Sequence, residues 1–246
     1  MVTFSIAHMY PALMNLYGDR GNLICLVKRI QWYGYRCIIK DFSIGSNLDY
    51  DNIDMIFMGG GSDREQGLVY HDLLSKAKRL QLEIENGLPV LCICGAYQLL
   101  GKSYIGSNGN IMKGLGFFDF YTQGSKDRLI GDIVLNSNIT GENRSIVGFE
   151  NHGGRTYFRD KHIQPFGQVV KGYGNNGKDG SEGLRYNNLV GTYLHGPLLP
   201  KNPHIADFFI HNMAKRKGIN ISISLDDAVE RFAHKQVKDR ILKQQK

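Results

Sequence analysis

Segments of strand length and segments of helix length alternate along the first part of this 246-residue chain. The strand-like segments are Thr3–Met9, Arg36–Phe42, Asp54–Met58 and Leu88–Ile93, and the helix-like segments are Gly21–Tyr33 and Asp63–Asn86. Such alternation with short connections is typical of parallel sheets wrapped by helices. It predicts an α/β fold with a mostly parallel central sheet and helices on both faces.

The middle of the chain has a different pattern, in which short apolar segments are separated by Gly, Asn and Ser. These segments are Gly131–Val134, Ser145–Phe149 and Gln168–Val170. They predict hairpin strands that form a small antiparallel extension. The chain ends in an amphipathic segment that predicts a helix over about residues 225–246. No repeat or low-complexity linker divides the sequence, so we expect one domain over residues 1–246.

Charge and composition exclude several classes of protein. The net charge is +7, from 30 Lys and Arg against 23 Asp and Glu. The basic residues are scattered and no nucleic-acid-binding motif accompanies them, so we expect no nucleic-acid partner. No apolar run reaches the ~18 residues of a membrane span, and the N-terminus lacks a signal-peptide pattern, which together favour the cytoplasm. We expect the four cysteines to be free thiols, with no metal site.

Cys94 lies between the apolar segment Leu88–Ile93 and a helical pattern that begins after Gly95. A cysteine on such a strand-to-helix elbow is presented at a helix N-terminus, which favours the nucleophilic thiolate. The N–H of Gly95 would then face the negative charge that develops during attack. The alternative is that Cys94 is a small buried apolar residue, which is the usual role of a free cysteine.

His195 is the leading candidate for the base among the eight histidines. It directly follows the apolar strand predicted at Val190–Leu194. Because the carboxyl ends of parallel strands meet at one edge of a sheet, we expect His195 to lie near Cys94. His8 and His152 also fall in or beside predicted strands, and many such histidines are only structural.

Three glycines, Gly59, Gly60 and Gly61, follow the predicted strand that ends at Met58. A glycine-rich turn before a helix gives an anion free access to backbone N–H groups. Neither the phosphate-loop spacing nor the dinucleotide-binding spacing occurs here, so a second oxyanion donor fits better. A tight turn would account for one of the three glycines.

Six segments in chain order resemble those of class I (Cys-His) glutamine amidotransferases of the cobyric-acid-synthase type. They are Asn15–Asn22, Gly59–Gln66, Cys94–Gln98, Gly148–Thr156, Gly172–Asn176 and Gly191–Pro197. Each is weak alone, but together they span nearly the whole chain. Within the family, the resemblance is closest to the glutaminase subunit of bacterial lipid II isoglutaminyl synthases. It implies a flavodoxin-like α/β fold.

The resemblance implies the chemical roles. Cys94 attacks the side-chain amide of L-glutamine, and His195 activates the thiol and protonates the leaving ammonia. Backbone N–H groups of Gly60 and Gly95 hold the oxyanion.

Two further residues are implied to bind the substrate. Gln98 helps to seat glutamine, and Arg128 binds it, since a guanidinium suits a carboxylate. The alternative for Arg128 is a surface arginine beside Asp127 or Asp132.

The sequence departs from many class I amidotransferases in the residues that follow the histidine. His195 is followed by Gly196-Pro197 instead of the His-x-Glu pattern, whose Glu orients the imidazole. Glu150, Asp19 or a carboxylate of a partner are the candidates for that role. A weakly oriented Cys-His pair predicts low glutaminase activity until a partner docks.

A partner is implied because amidation of a carboxylate needs ATP, and the chain has no nucleotide-binding loop. The resemblance implies a heterodimer with a Mur-ligase-like synthetase subunit (MurT), which would carry ATP and Mg²⁺. That subunit would amidate the D-glutamate α-carboxylate of lipid II to D-isoglutamine at the inner membrane face, where a positive net charge is suitable. The alternatives are a glutaminase for a cobyrinate-type ligase, a cysteine hydrolase of related fold, and an inactive scaffold.

Overall fold

Two β-sheets organise the computed structural model, which describes residues 2–243 without the side chain of Tyr17. The strands are β1 (Thr3–Met9), β2 (Arg36–Phe42), β3 (Met55–Met58), β4 (Val90–Ile93), β5 (Ser103–Ile105), β6 (Ile111–Lys113), β7 (Phe120–Ser137), β8 (Arg144–Phe158), β9 (Gly167–Lys171), β10 (Ser181–Glu182), β11 (Leu184–Tyr186), β12 (Leu189–Thr192) and β13 (Leu194–His195). The helices are α1 (Arg20–Trp32), α2 (Asp63–Glu85), α3 (Gly95–Leu99), α4 (Leu198–Lys201), α5 (Pro203–Arg216) and α6 (Ala228–Lys243).

The first sheet has the order β11-β12-β4-β3-β1-β2. All of its neighbouring strands are parallel except β11, which pairs antiparallel with β12. The predicted α/β fold with a mostly parallel central sheet is therefore confirmed. The carboxyl ends of β3, β4 and β12 lie side by side, and the residues that follow them share one edge of the sheet.

Both faces of the parallel sheet are covered, as the nearly continuous apolar strands require. Met55 and Phe57 of β3 pack with α1 and α5 on one face. Ile56 and Met58 alternate with them and pack with α2 and α3 on the other face. Burial of each such side chain stabilises the fold by ~1.5–3 kcal/mol, so the loops at the carboxyl edge rest on a rigid support.

The second sheet is larger than the predicted antiparallel extension, and it is not antiparallel throughout, because β5 pairs in parallel with β7. Gly131–Val134 and Ser145–Phe149 are only parts of β7 and β8, which have 18 and 15 residues and pair along most of their lengths. The prediction missed the first half of β7 because its register shifts between Gly124 and Leu129, at a bulge that consists of polar residues. A bulge bends the strand and redirects its side chains, so it hides the alternation from the sequence.

The C-terminal helix begins later than predicted, at Ala228, and residues 244–246 of the prediction lie outside the described chain. Asp227 directly precedes the helix: its carbonyl accepts the N–H of Arg231 at 2.8 Å, and its side chain accepts a hydrogen bond from Arg29 at 2.7 Å. Ile241 of α6 is buried against β7 and β8. Within residues 2–243, no helix combines the length and the apolar character needed to cross a bilayer.

Candidate functional site

Cys94 occupies the predicted elbow between β4 and α3. Its backbone has φ +51° and ψ −104°, a conformation that residues other than glycine rarely adopt. Two hydrogen bonds hold it there: the N–H of Cys94 donates to the carbonyl of Thr192 at 2.8 Å, and its carbonyl accepts from Gln98 at 3.0 Å. Strained backbone of this kind is often retained where it places a reactive group.

Asp19, Cys94 and His195 converge around Gly60. A Cβ atom at Gly60 would lie 3.3 Å from both Cys94 Cβ and His195 Cε1 and 3.4 Å from Asp19 Oδ2. His195 Nδ1 lies 3.1 Å from Asp19 Oδ1, and both side chains are fully buried. The carboxylate of Asp19 therefore fixes the imidazole beside the thiol. The expectation of low activity depended on a weakly oriented Cys-His pair, and this contact removes that reason.

The surroundings of His195 favour its charged form. Burial lowers its pKa, but hydrogen bonds and charges from Asp19 and Cys94 outweigh burial and raise the pKa from 6.5 to about 10. The imidazole is therefore most stable as a cation beside Asp19 and the side chain of Cys94. A thiol, an imidazole and an orienting carboxylate in contact can attack an acyl carbon and then protonate a leaving group.

The strand that precedes His195 is interrupted, although the sequence predicts a continuous strand over Val190–Leu194. β12 ends at Thr192, opposite Ile93 of β4. After Tyr193, the chain leaves the parallel sheet and pairs with β8 as β13. The prediction that His195 directly follows a parallel strand is wrong, because Tyr193 and β13 come after β12. The imidazole nevertheless lies beside the elbow.

Glu150, one of the two carboxylates predicted to orient His195, does not do so. In the β13–β8 pair Glu150 lies opposite Leu194, and cross-strand partners share a face while neighbours along a strand alternate. Glu150 is thus on the other face from His195. Its carboxylate instead accepts the N–H groups of Tyr173 at 2.6 Å and Gly174 at 2.9 Å.

The two predicted oxyanion donors differ in whether their N–H group already has an acceptor in the protein. Gly95 is the first residue of α3, so its N–H has no acceptor within the helix. The N–H of Gly60 donates to Asp19 Oδ2 at 2.9 Å, so the prediction that it faces a substrate oxygen is wrong for this structure. The same carboxylate thus holds both the glycine turn and the imidazole.

Arg128 lies in the bulge of β7 and is exposed, as the alternative of a surface arginine predicts. Its Nε and Nη2 donate to the side-chain oxygen and the carbonyl of Asn151, each at 2.7 Å. It does not pair with Asp132, which binds Arg240. Burial raises the pKa of Tyr104, Asp63 and Cys94 add to this, and Arg128 opposes it.

Gln98 is buried one turn after Cys94. Its amide nitrogen donates to the hydroxyl of Tyr193 at 3.1 Å. Tyr193 stacks on His152, with ring centroids 3.7 Å apart and an interplanar angle of 6°. The amide of Gln98 is therefore engaged by the protein itself, and its part in seating a substrate stays a prediction.

Sequence reasoning did not assign Tyr193 or Glu182 to this site, and it considered His152 only as an alternative to His195. Glu182 Oε1 accepts the N–H of Tyr193 at 2.7 Å. Tyr193 and His152 stand inside motifs that the resemblance identifies, so the motifs were the available signal. Glu182 lies in a stretch rich in Gly and Asn, where no periodic pattern identifies it.

Comparison with known proteins agrees with this geometry. The model of the CobB/CobQ-like glutamine amidotransferase domain matches residues 5–203. The chain is 43% identical over 247 residues to the GatD subunit of the glutamine-hydrolysing lipid II isoglutaminyl synthase of Staphylococcus aureus (strain N315), with 100% of this chain and 99% of the relative covered. It is 39% identical over 214 residues to the GatD subunit of the same synthase of Streptococcus pneumoniae (strain ATCC BAA-255 / R6), with 87% and 81% covered.

A solved structure shares the fold. The structure of PurLQS from Thermotoga maritima contains a chain that aligns with a TM-score of 0.58 over 88% of this chain and 100% of that chain. The identity is 15%, so this likeness bears on the fold alone.

Proposed function

This chain belongs to the CobB/CobQ-like glutamine amidotransferase family, and we propose that it is the glutaminase subunit of a two-subunit lipid II isoglutaminyl synthase. It hydrolyses L-glutamine and delivers ammonia to a Mur-ligase-like synthetase subunit. That partner converts the D-glutamate α-carboxylate of lipid II to D-isoglutamine. The observation that carries the proposal is the contact of the buried His195–Asp19 pair with Cys94, in a chain that matches GatD of S. aureus from end to end.

In the proposed mechanism, the thiolate of Cys94 attacks the side-chain amide carbon of glutamine. The N–H of Gly95 donates to the oxyanion of the tetrahedral intermediate. The imidazolium of His195 gives its proton to the leaving nitrogen, so that ammonia departs and a thioester remains. His195, now neutral, takes a proton from water, which attacks the thioester and releases glutamate. Asp19 keeps the ring oriented through both steps.

Arg128 binds the α-carboxylate of glutamine in this proposal. The support is its position: the guanidinium binds Asn151, which lies two residues after Phe149, the cross-strand partner of His195. A guanidinium binds a carboxylate through two parallel hydrogen bonds, which would hold the amide end of the substrate toward the thiol.

The synthetase partner supplies ATP and Mg²⁺, and the two chains form a heterodimer. We place the reaction in the cytoplasm at the inner membrane face, where lipid II is exposed. The net charge of +7 suits an anionic membrane surface.

Reconstitution with the synthetase subunit tests the proposal. The complex should release ammonia from glutamine and convert the lipid II glutamate to isoglutamine, as measured by mass spectrometry. Cys94→Ala should abolish the reaction with glutamine but retain it with free ammonium, because only the ammonia source is lost. A complex that releases no ammonia from glutamine would rule out the glutaminase.

Two further results would correct the proposal in part. Amidation of a different carboxylate, with lipid II untouched, would reject the acceptor but keep the glutaminase. Labelling of Cys94 by a glutamine-analogue electrophile separates a glutaminase from a cysteine hydrolase: protection by a peptide and not by glutamine would favour the hydrolase.

A further inference from the structure

Glu182, at the end of β10, is a fully buried carboxylate that the mechanism above does not use. Its two oxygens each lie 3.0 Å from Thr192 Oγ1, and Oε1 also accepts the N–H of Tyr193 at 2.7 Å. Both partners belong to one short segment of the chain. A buried carboxyl group is costly without hydrogen bonds, and these bonds all go to the place where β12 ends.

The interruption after β12 depends on these hydrogen bonds. A buried N–H without an acceptor costs about as much as a lost hydrogen bond, and Tyr193 has left the ladder of the parallel sheet. Glu182 accepts that N–H, while the hydroxyl of Thr192 accepts the N–H of Leu194 at 3.1 Å. The carboxylate and the hydroxyl thus stabilise the bend that carries the chain across to β8, and His195 follows directly.

Glu182 is itself held firmly against β12. A Cβ atom on the next residue, Gly183, would clash with the carbonyl oxygen of Gly191 in β12. Asn175 brackets the same glycine: its Oδ1 accepts the N–H of Gly183 at 2.9 Å, and its Nδ2 donates to the carbonyl at 3.1 Å. The carboxylate therefore has a fixed position relative to the strand that precedes His195.

The surroundings of Glu182 favour its neutral form. The ionisable groups that interact with it electrostatically are Glu150 on β8, His195 on β13 and Tyr97 on α3. Burial raises the pKa of Glu182 to about 8 against its hydrogen bonds from Tyr193 and Thr192, Glu150 raises it further, and His195 lowers it. With a pKa of about 8, Glu182 is mainly the neutral acid at pH 7, so it acts on the site through its hydrogen bonds and not through a charge.

We propose that Glu182 is a positioning residue for His195: by holding Thr192 and Tyr193 at the strand interruption, it sets where the imidazole stands against the thiol of Cys94. This rests on the role of His195 proposed above. The contacts act through the backbone and not through substrate, so the consequence is expected in turnover more than in glutamine binding.

Three variants in the complex with the synthetase test the proposal. Glu182→Ala should lower kcat by about 100-fold with little change in KM, since a displacement of about 1 Å in a catalytic group has an effect of that size. Glu182→Gln keeps an acceptor for Tyr193 and should restore most of the loss. Thr192→Val removes the hydroxyl that joins Glu182 to Leu194 and should act in the same direction as Glu182→Ala.

A second readout does not depend on glutamine. The pH dependence of the alkylation of Cys94 by iodoacetamide, followed by mass spectrometry, reports how the thiol and the imidazole are coupled. Glu182→Ala should shift this profile. Asp54→Asn is the matched control, because Asp54 is also a buried carboxylate that accepts a backbone N–H, from Ser5 at 2.7 Å, but at the opposite edge of the sheet. It should leave both readouts unchanged.

The outcomes separate the inference from the proposed function. A folded Glu182→Ala with native kcat and a native alkylation profile overturns the inference. The inference is overturned in the same way if Glu182→Ala lowers only the melting temperature and leaves kcat and the alkylation profile unchanged. If Glu182→Ala does not fold, Thr192→Val and Glu182→Gln decide by the same criteria. A native complex that releases no ammonia defeats the proposed glutaminase, while the alkylation profile still tests Glu182.

Discussion

Asp19→Asn is the substitution that most directly tests the proposed Cys-His-Asp arrangement. It removes one buried charge and keeps the size of the side chain. The single carbonyl oxygen of asparagine can accept from His195 or from Gly60, but it carries no charge to balance the imidazolium. The contact between the carboxylate and His195 Nδ1 is therefore weakened without a cavity being created.

The magnitude follows from the distance. At 3.1 Å and an effective dielectric constant of about 20, two unit charges attract by about 5 kcal/mol. This attraction corresponds to nearly four pKa units at about 1.4 kcal/mol each. A neutral hydrogen bond retained by the asparagine would preserve about half of this stabilisation. The pKa of His195, which is about 10 with Asp19 in place, should fall by roughly two to four units. We expect kcat to fall by about 100-fold or more.

The assay is the pH dependence of glutaminase turnover in the complex. The proton for the leaving ammonia comes from the imidazolium, which is lost as the pH rises through the pKa of His195. A lower pKa moves the alkaline limb of the kcat profile to lower pH. Asp41→Asn is the matched control, because Asp41 also lies 3.1 Å from a histidine, His8, but its side chain is 64% exposed and far from the thiol.

One result would refute this reasoning. If Asp19→Asn retains both the kcat and the alkaline limb of the unmodified protein, the charge of Asp19 does not stabilise the imidazolium, and the orienting carboxylate must lie elsewhere. An equal loss in Asp41→Asn would show that the effect is not specific to the site.

Three further substitutions test other contacts. Arg128→Ala should raise the KM for glutamine by about 10- to 100-fold with little change in kcat, since charged hydrogen bonds contribute about 1.5–3 kcal/mol each; unchanged initial-rate kinetics would exclude it from substrate binding. Arg29→Met leaves Asp207 and Asp227 without the buried guanidinium that binds both, and should lower the free energy of unfolding by about 3–5 kcal/mol in urea, whereas replacing all three charges should recover much of it. Burial lowers the pKa of His204 from 6.5 to about 4, so the folded state is stabilised by the neutral ring at neutral pH, and this stability is lost as the pH falls from about 6.5 to about 4. In urea unfolding at several pH values, His204→Gln should therefore lose less free energy of unfolding on acidification than the unmodified protein. An equal loss would reject the assignment.

Local patterns account for what could be predicted from the sequence. Thr3–Met9 and Arg36–Phe42 have the predicted bounds because apolar strands bounded by helix and turn signals are specified by their own residues. The elbow at Cys94 was predictable for the same reason. The first half of β7 was not, because its bulge is polar and its pairing with β8 is set by a partner strand distant in the chain.

The choice between Asp19 and Glu150 shows the same limit within the site. Both are acidic residues in motif segments, and nothing local distinguishes them. The register of β13 on β8 turns Glu150 away from His195, while the packing of the segment before α1 brings Asp19 to it. The part played by Glu182 depends in the same way on contacts between β10 and β12.

The left-handed backbone of Cys94 has a consequence for each variant that is inactivated by replacing this residue. A side chain in such a conformation costs about 1–3 kcal/mol, and that cost is present whether or not the thiol reacts. Glycine adopts the same angles without it, so Cys94→Gly should melt at a higher temperature than Cys94→Ala, and a β-branched replacement should melt below both. Folding stability and reactivity are therefore in opposition at this one residue, and an inactive enzyme chosen for its ease of handling would differ from the native one in its thermodynamics as well as in its chemistry.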